Sequence, residues 1–161
     1  KDNSLLFYYY SILMTELPFL YAALSIGIVG LVVTFSEARV AKTSIDTIGK
    51  NPELNGELKG LTILGIALVE SAAIYALLVA ILITFTDGVS AMKAMSAMFA
   101  AVLPGVLAGL GEASIVVSAI KAIQRNPSAA SDIRGNMIIF IALVESAAIY
   151  GLVTALLILF K

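Results

Sequence analysis

The sequence contains no cysteine and no histidine, and only 13% of its 161 residues are charged. Without cysteine, the chain has neither a disulfide framework nor a thiolate metal site. Without histidine, it lacks the commonest acid–base side chain and the commonest transition-metal ligand. A net charge of −1 offers no electrostatic basis for binding nucleic acid. Residues 56–60 lack the spacing of a phosphate-binding P-loop, so we expect no ATP chemistry from the chain itself.

Hydrophobic residues are abundant where charges are scarce. They make up 60% of the chain, and the mean hydropathy is +1.02, whereas a soluble domain carries about 25% charged residues. A membrane-spanning helix needs about 20 residues. Four apolar runs are long enough to span: residues 17–35, 61–85, 95–123 and 137–160. The sequence therefore predicts an all-α, multi-pass integral membrane protein with four transmembrane helices.

Basic residues cluster around two polar loops, at residues 49–55 and 125–128. Membrane proteins concentrate lysine and arginine on the cytoplasmic side. We therefore expect both loops in the cytoplasm, both termini outside and an external connection at residues 91–97. The basic residues that flank the loops are Arg39, Lys42, Lys50, Lys59, Lys121, Arg125 and Arg134.

Residues 1–16 form a separate N-terminal segment in this interpretation. Asp2, Asn3 and Ser4 can cap a helix, and residues 5–14 are apolar and aromatic but too short to span a bilayer. An interfacial helix and the remnant of a targeting signal both fit this pattern, and we favour the interfacial helix. The chain begins with lysine, which is compatible with processing or with a truncated start.

The second half of the sequence repeats the first. The nonapeptide ALVESAAIY occupies residues 67–75 and again residues 142–150, a shift of 75 positions. The Asn-Pro steps of the two polar loops superpose under the same shift, and such a step ends a helix. We therefore predict two tandem hairpins, residues 17–88 and 89–161, that run in the same direction.

Each hairpin places two carboxylates deep in the membrane. Glu37 lies about 11 residues before the first polar turn and Glu70 about 14 residues after it, or roughly 17 and 21 Å at 1.5 Å per residue. The shift of 75 puts Glu112 and Glu145 at matching depths. A carboxylate at mid-membrane depth is costly and points to function. Two adjacent carboxylates there cannot both stay ionised and unpaired, so one binds a cation or the two share a proton.

Oxygen donors accompany the predicted carboxylate pairs. In the first hairpin Ser71 supplies a hydroxyl next to Glu70, and the backbone carbonyl of Leu68 is a further ligand. Tyr75 can donate its hydroxyl to a carboxylate oxygen and close the site. An all-oxygen set suits an alkali or alkaline-earth ion, and one protonated carboxylate leaves the single negative charge that Na⁺ neutralises. The predicted ion-binding residues are Glu37, Leu68, Glu70, Ser71 and Tyr75, then Glu112, Leu143, Glu145, Ser146 and Tyr150, with Glu70 and Glu145 as the main Na⁺ ligands and Glu37 and Glu112 in support.

Simpler structural roles stay open for some of these residues. Ser71 and Ser146 can hydrogen-bond only within their own helices, and the two tyrosines can be ordinary aromatic core. Glu37 and Glu112 can extend toward the polar loops.

Small residues concentrate in the first and third predicted helices. Gly27 and Gly30 lie in the first helix, and Gly105 and Gly109 lie in the third. Small residues let membrane helices approach closely, so we expect these two helices at a crowded interface. The second and fourth helices then present leucine, isoleucine and valine to lipid.

These features together resemble the proteolipid of the rotary F-type ATP synthase, its c-type rotor subunit, in two tandem copies over residues 20–160. Residues 69–75 and 144–150 are similar to the Na⁺-binding version of that family, in which a polar side chain of the first helix, usually glutamine, completes the site. Glu37 occupies that position here, and Glu112 occupies it in the second copy, as in the double-carboxylate variants associated with Na⁺ coupling. The four-helix length is similar to the duplicated proteolipids of V-type ATPases.

The sequence departs from the family pattern at two places. Val32, Thr34 and Phe35 interrupt the dense glycine repeat of the first helix. Ala72 and Ala147 stand where a threonine follows the serine of the Na⁺ site. The first departure bears on tight packing of the first helix, and the second removes a possible anchor for water at the ion.

The resemblance implies a non-catalytic subunit of a membrane rotor ring that couples ion flow to rotation, in a bacterial inner membrane. It implies no cofactor, with Na⁺ or H⁺ as the transported ion. The implied partners are other c-type subunits in a homomeric or mixed ring, a stator subunit that carries an arginine, and the lipid bilayer. Central-stalk subunits are expected at the loops 49–55 and 125–128, and no nucleic acid is expected.

Two other functions stay open. The same rotor can carry H⁺, in which case the carboxylates share protons and Ser71 is incidental. A small secondary transporter with parallel repeats would need broken helices and a cavity of substrate size, whereas the runs around Glu70 and Glu145 are uninterrupted. A purely structural proteolipid does not explain four mid-membrane carboxylates.

Overall fold

The computed structural model describes residues 3–161, with side chains from Leu5 onward. Four long helices run through these residues: α1 (Asn3–Lys50), α2 (Asn55–Phe85), α3 (Ala91–Arg125) and α4 (Ala130–Phe160). All four are long and apolar enough to cross a membrane. The predicted all-α fold, with four membrane-spanning helices in two tandem hairpins, is confirmed.

The two hairpins turn in the same way. A short 3₁₀ turn begins at the proline of each Asn-Pro step, at Pro52–Leu54 and at Pro127–Ala129. Before it, Asn51 (φ −131°, ψ 79°) and Asn126 (φ −141°, ψ 82°) have left the helical region, because the following proline ring disfavours helical backbone there. The repeated dipeptide therefore ends α1 and α3 at equivalent positions.

Helix α1 is longer than the first apolar run. It continues without a break from Asn3 to Lys50 and contains Pro18 in its interior. At 1.5 Å per residue, its 48 residues extend roughly 72 Å, more than twice the ~30 Å thickness of the hydrocarbon core. The structure shows no boundary between residues 16 and 17. The interfacial position of the N-terminal segment stays a prediction, and the expected cap at Asp2 lies outside the described residues.

The two hairpins lie side by side. Helix α1 packs against α3, α2 contacts α4, and each hairpin is closed by α1 on α2 and by α3 on α4. Helix α2 also packs on α3, so α3 contacts all three other helices. Gly109 of α3 meets Val33 of α1, where an added Cβ would lie 3.0 Å from the valine methyl group. The small residues of α3 therefore allow a close approach of α1, whereas Gly27 of α1 has no such neighbour within 4 Å.

Candidate functional site

The four mid-membrane carboxylates lie one on each helix. Glu37 of α1 lies next to Glu70 of α2, and Glu112 of α3 lies near Glu145 of α4. Each hairpin therefore brings its two carboxylates together. Within residues 3–161 no group of three or more acidic side chains converges on one point, so each pair offers an ion two carboxylates.

The hydroxyl of Tyr75 connects the two hairpins. It donates a hydrogen bond of 2.6 Å to Oε1 of Glu145, from α2 to α4. The sequence interpretation grouped Tyr75 with Glu70 of its own hairpin, and the structure corrects this grouping. The site around Glu145 is therefore built from both hairpins.

The rotation of residues around α2 explains the correction. Tyr75 comes five positions after Glu70, which turns it by about 140° around a helix that advances 100° per residue. Leu68 and Tyr75 are seven positions apart and point within about 20° of each other. The face of α2 that contains Leu68 and Tyr75 is directed toward the second hairpin, and Glu70 is directed away from it.

Glu112 is the most enclosed of the four carboxylates. Its side chain is 0% exposed, whereas Glu37 and Glu145 are half-buried and Glu70 is exposed. Neither carboxylate oxygen of Glu112 has a hydrogen-bond partner among the described residues. Burying an unpaired carboxylate is costly, so this group needs either a proton of its own or a cation shared with Glu145.

Each serine of the predicted site hydrogen-bonds to a carbonyl of the same predicted site. Ser71 Oγ donates to the Leu68 carbonyl and Ser146 Oγ donates to the Leu143 carbonyl, each over 2.7 Å. The bond within the helix, one of the two roles left open, is therefore present. It leaves the lone pairs of the hydroxyl oxygen free to bind a cation. Ser71 also lies beside the hydroxyl of Tyr75.

The two copies of the ligand set differ in exposure. Leu68 and Tyr75 of α2 are half-buried, whereas Leu143 and Tyr150 of α4 are 66% and 68% exposed. Glu145 thus accepts a hydrogen bond from the first hairpin of the same chain, through the Tyr75 hydroxyl. The equivalent face of α4 is uncovered. Within one chain, the site around Glu145 is closed between the two hairpins. The Glu37–Glu70 pair lies in the first hairpin, and the exposed face of α4 with Leu143 and Tyr150 has no carboxylate partner within the described residues.

An ion pair that the sequence interpretation missed joins α2 and α4 near the polar turns. Arg134 Nη2 pairs with Glu57 Oε1, and the same nitrogen lies 3.4 Å from the Glu57 carbonyl oxygen, to which it donates. Glu57 precedes Tyr75 by 18 residues, which is five full turns, so both lie on one face of α2. The opposite charges are visible in the sequence, but the pairing depends on which helices touch.

Comparison with known proteins gives a consistent result. A family model for the ATP synthase C subunit matches the chain twice, at residues 20–83 and 95–158. The ATP synthase c subunit of Synechococcus sp. (strain JA-3-3Ab) is 39% identical over 71 residues, which are 44% of this chain and 88% of that protein. The chloroplastic ATP synthase c subunit of Cyanidioschyzon merolae is 39% identical over 72 residues, which are 45% of this chain and 89% of that protein.

Each relative therefore aligns over nearly its whole length with less than half of this chain. The two matches of the family model coincide with the two hairpins, and together they cover most of the sequence. The chain belongs to the ATP synthase C-subunit family, as an integral membrane protein with two tandem copies of the family's hairpin.

Proposed function

We propose that this protein is an ion-translocating subunit of the rotor ring of a rotary ATP synthase and that Na⁺ is its coupling ion. The observation that supports the proposal most strongly is the environment of Glu145. This mid-helix carboxylate accepts the hydroxyl of Tyr75 beside the fully buried, unpartnered carboxylate of Glu112. Such a pair holds one positive ion or proton stably and becomes costly without it.

Oxygen atoms from both hairpins bind Na⁺ in this proposal. Glu145 contributes the negative charge, and Glu112 keeps a proton while it contributes a carbonyl oxygen. The hydroxyl oxygen of Ser71 and the carbonyl of Leu68 complete an all-oxygen set of the kind that alkali ions prefer. The occupied site is electrically neutral, which matters because an unpaired charge cannot rotate through lipid without a large cost.

Loading and unloading take place at a stator subunit. An arginine of that stator, which the family resemblance implies, pairs with the carboxylate when the ion leaves. Copies of the chain form the ring, alone or mixed with other c-type subunits, and the loops at residues 49–55 and 125–128 contact the central stalk. The loops then lie in the cytoplasm and the termini outside a bacterial inner membrane, and the chain performs no ATP chemistry itself.

Carbodiimide modification tests the identity of the ion, because the reagent attacks protonated membrane carboxyl groups. We expect millimolar Na⁺ to slow modification of Glu70 and Glu145, and to do so more strongly as the pH rises, because Na⁺ and H⁺ compete for the same oxygens. Mass spectrometry of the modified peptides measures the rate, with K⁺ at equal ionic strength as the control. Protection by pH alone, with no effect of Na⁺ at any pH, would assign the rotor to H⁺.

One observation favours the proton alternative. Neither carboxylate oxygen of Glu112 has a hydrogen-bond partner among the described residues, and Glu112 and Glu145 can share a proton without further ligands. Ser71→Ala separates the two cases, since it removes a Na⁺ ligand and leaves the carboxylate pair intact. Loss of Na⁺ protection in this variant supports Na⁺. A secondary transporter is disfavoured because α2 and α4 continue without a break through Glu70 and Glu145.

A further inference from the structure

Two open grooves mark the edges of the chain. The first edge is a groove between α1 and α2, lined by Ala41, Ser44, Ile45, Lys59 and Thr62. The second edge is a groove between α3 and α4, lined by Ile115, Ala119, Ile133, Met137 and Phe140. Each has a volume of about 230 Å³. Both lie toward the polar-turn ends of the helices.

The contact between the two hairpins shows how such edges fit together. Gly65 of α2 lies so close to Val116 of α3 that an added Cβ would be 2.5 Å from a valine methyl group. Toward the polar turns, Glu57 of α2 pairs with Arg134 of α4. The contact within the chain therefore combines a close fit between a small and a larger side chain with an ion pair.

The internal repeat places residues equivalent to this close fit and this ion pair at the open edges. Adding 75 to the α2 partners gives one residue that lines the second-edge groove and one that precedes Ile133 of that groove, and subtracting 75 from their counterparts gives two residues that line the first-edge groove. Gly65 becomes Phe140 and Val116 becomes Ala41. Glu57 becomes Asp132 and Arg134 becomes Lys59. The charges keep their signs.

The side chains at the two open edges are also complementary in size, but there the large residue is on the second helix of its hairpin and the small residue is on the first. Within the chain the small residue is on α2 and the larger one is on α3. At the open edges the large residue, Phe140, is on α4 and is 53% exposed, while the small one, Ala41, lines the groove on the other edge. An aromatic ring could not occupy the position of Gly65, but the first-edge groove has room for it.

We propose that the first edge of one copy receives α4 of a second copy, with Phe140 seated over Ala41 and Asp132 paired with Lys59. The inference rests on the proposed function in that a ring is built from such contacts, and it adds which residues form the junction. The junction between copies differs from the one within the chain and cannot be exchanged with it.

Cysteine cross-linking tests the junction cleanly, because the chain has no cysteine of its own. We expect Ala41→Cys combined with Phe140→Cys, oxidised in the intact membrane complex, to give a ladder of covalently joined chains on a denaturing gel. The matched control is Gly65→Cys combined with Val116→Cys. An ideal Cβ on Gly65 lies 3.3 Å from the Cβ of Val116, close to disulfide geometry. This pair should therefore form a disulfide within one chain, and the oxidised protein should still migrate at the mass of a single chain.

The outcomes separate this inference from the proposed function. If the control pair oxidises and the Ala41–Phe140 pair does not, while the complex keeps its native mass, the junction is wrong and the ring survives. If the unmodified protein has the native mass of one chain, both the proposed ring and the proposed junction are wrong. As a second measurement, Asp132→Lys should slow the cross-linking by about fivefold, the effect of losing one exposed ion pair, and adding Lys59→Asp should restore it. An unchanged rate in Asp132→Lys would remove the ion pair from the junction.

Discussion

At the scale of single residues, Glu112 and Glu145 occupy different environments and should contribute differently to ion binding. Glu112 is fully buried without a hydrogen-bond partner in the described part of the chain, whereas Glu145 accepts the Tyr75 hydroxyl. A carboxyl group that holds a proton can be replaced by an amide, because the amide keeps an oxygen ligand and a donor. A carboxylate that supplies the charge cannot be replaced in this way.

We therefore expect Glu112→Gln to keep ion binding at the Glu145 site to within about tenfold of the original affinity. Glu145→Gln should abolish it there, because the neutralising charge is gone. Na⁺-dependent protection from carbodiimide measures the Glu112→Gln variant, and binding of radioactive Na⁺ measures both. Glu37→Gln serves as the matched variant for the first hairpin, and equal loss of binding in the Glu112 and Glu145 variants would contradict the assigned roles.

The residues of the candidate site could be proposed from the sequence, but the contact between Tyr75 and Glu145 could not. The repeated nonapeptide pointed to Glu70, Tyr75 and their copies because carboxylates inside apolar helices are conspicuous. The partner of Tyr75 depends on how α2 and α4 are rotated against each other, which the sequence of one helix does not specify. The angle of about 140° between Glu70 and Tyr75 around α2 is nevertheless a usable signal against pairing them.

At the scale of helices, the two hairpins have diverged where their own helices cross. In the first hairpin Ser25 Oγ donates to the Ala76 carbonyl over 3.2 Å, from α1 to α2. The equivalent residues of the second hairpin are Ala100 and Gly151. A Cβ on Gly151 would clash with the Ala100 carbonyl oxygen and with the ring of Pro104. Helices α3 and α4 therefore approach more closely than an alanine at position 151 allows.

Gly151→Ala should destabilise the protein by about 1–3 kcal/mol, the usual cost of overpacking a close contact. The reason is that the Ala100 oxygen belongs to the backbone of α3 and cannot move without shifting the helix. Thermal unfolding in detergent measures the effect as a lowered melting temperature. Gly135→Ala is the control, because nothing lies within 4 Å of its added Cβ and alanine favours the helix. Similar melting temperatures for the two variants would show that the contact is not tight.

The helices themselves follow from local sequence, except at one end. The Asn-Pro steps predict where α1 and α3 end because proline constrains the residue before it. The sequence predicts a helical N-terminal segment but not its continuity with the first spanning helix, because an apolar run indicates what crosses a membrane, whereas a helix continues wherever its backbone can be hydrogen-bonded. Pro18 interrupts only one such bond, and α1 continues through it.

At the scale of the whole molecule, each chain contains two copies of the predicted site residues. In the proposed ring, a homomeric assembly of n chains carries 2n ions per turn and always has an even number of hairpins. A duplicated subunit that kept only one carboxylate site would carry half as many ions per helix. More ions per turn lower the driving force needed for each ATP, which favours synthesis over pumping.

Glu145→Gln alone should therefore stall ion transport by the entire rotor, although Glu70 is intact in every chain. The reason is that each chain must present both sites to the stator in sequence. Ion uptake into vesicles driven by ATP measures the effect, and a native gel confirms that the ring has assembled. Transport at near-normal rates would show that the second hairpin fills space only.

The close fit of Gly65 on Val116 also has an evolutionary consequence. A single-hairpin subunit must use one pair of surfaces for every contact around a ring, so a mutation on either surface recurs at every junction. Fusion of two hairpins into one gene removes that constraint, because every second junction then lies within a single polypeptide. Glycine and valine at one junction, with phenylalanine and alanine at their duplicated positions, are what independent drift of the two junctions after fusion would leave behind.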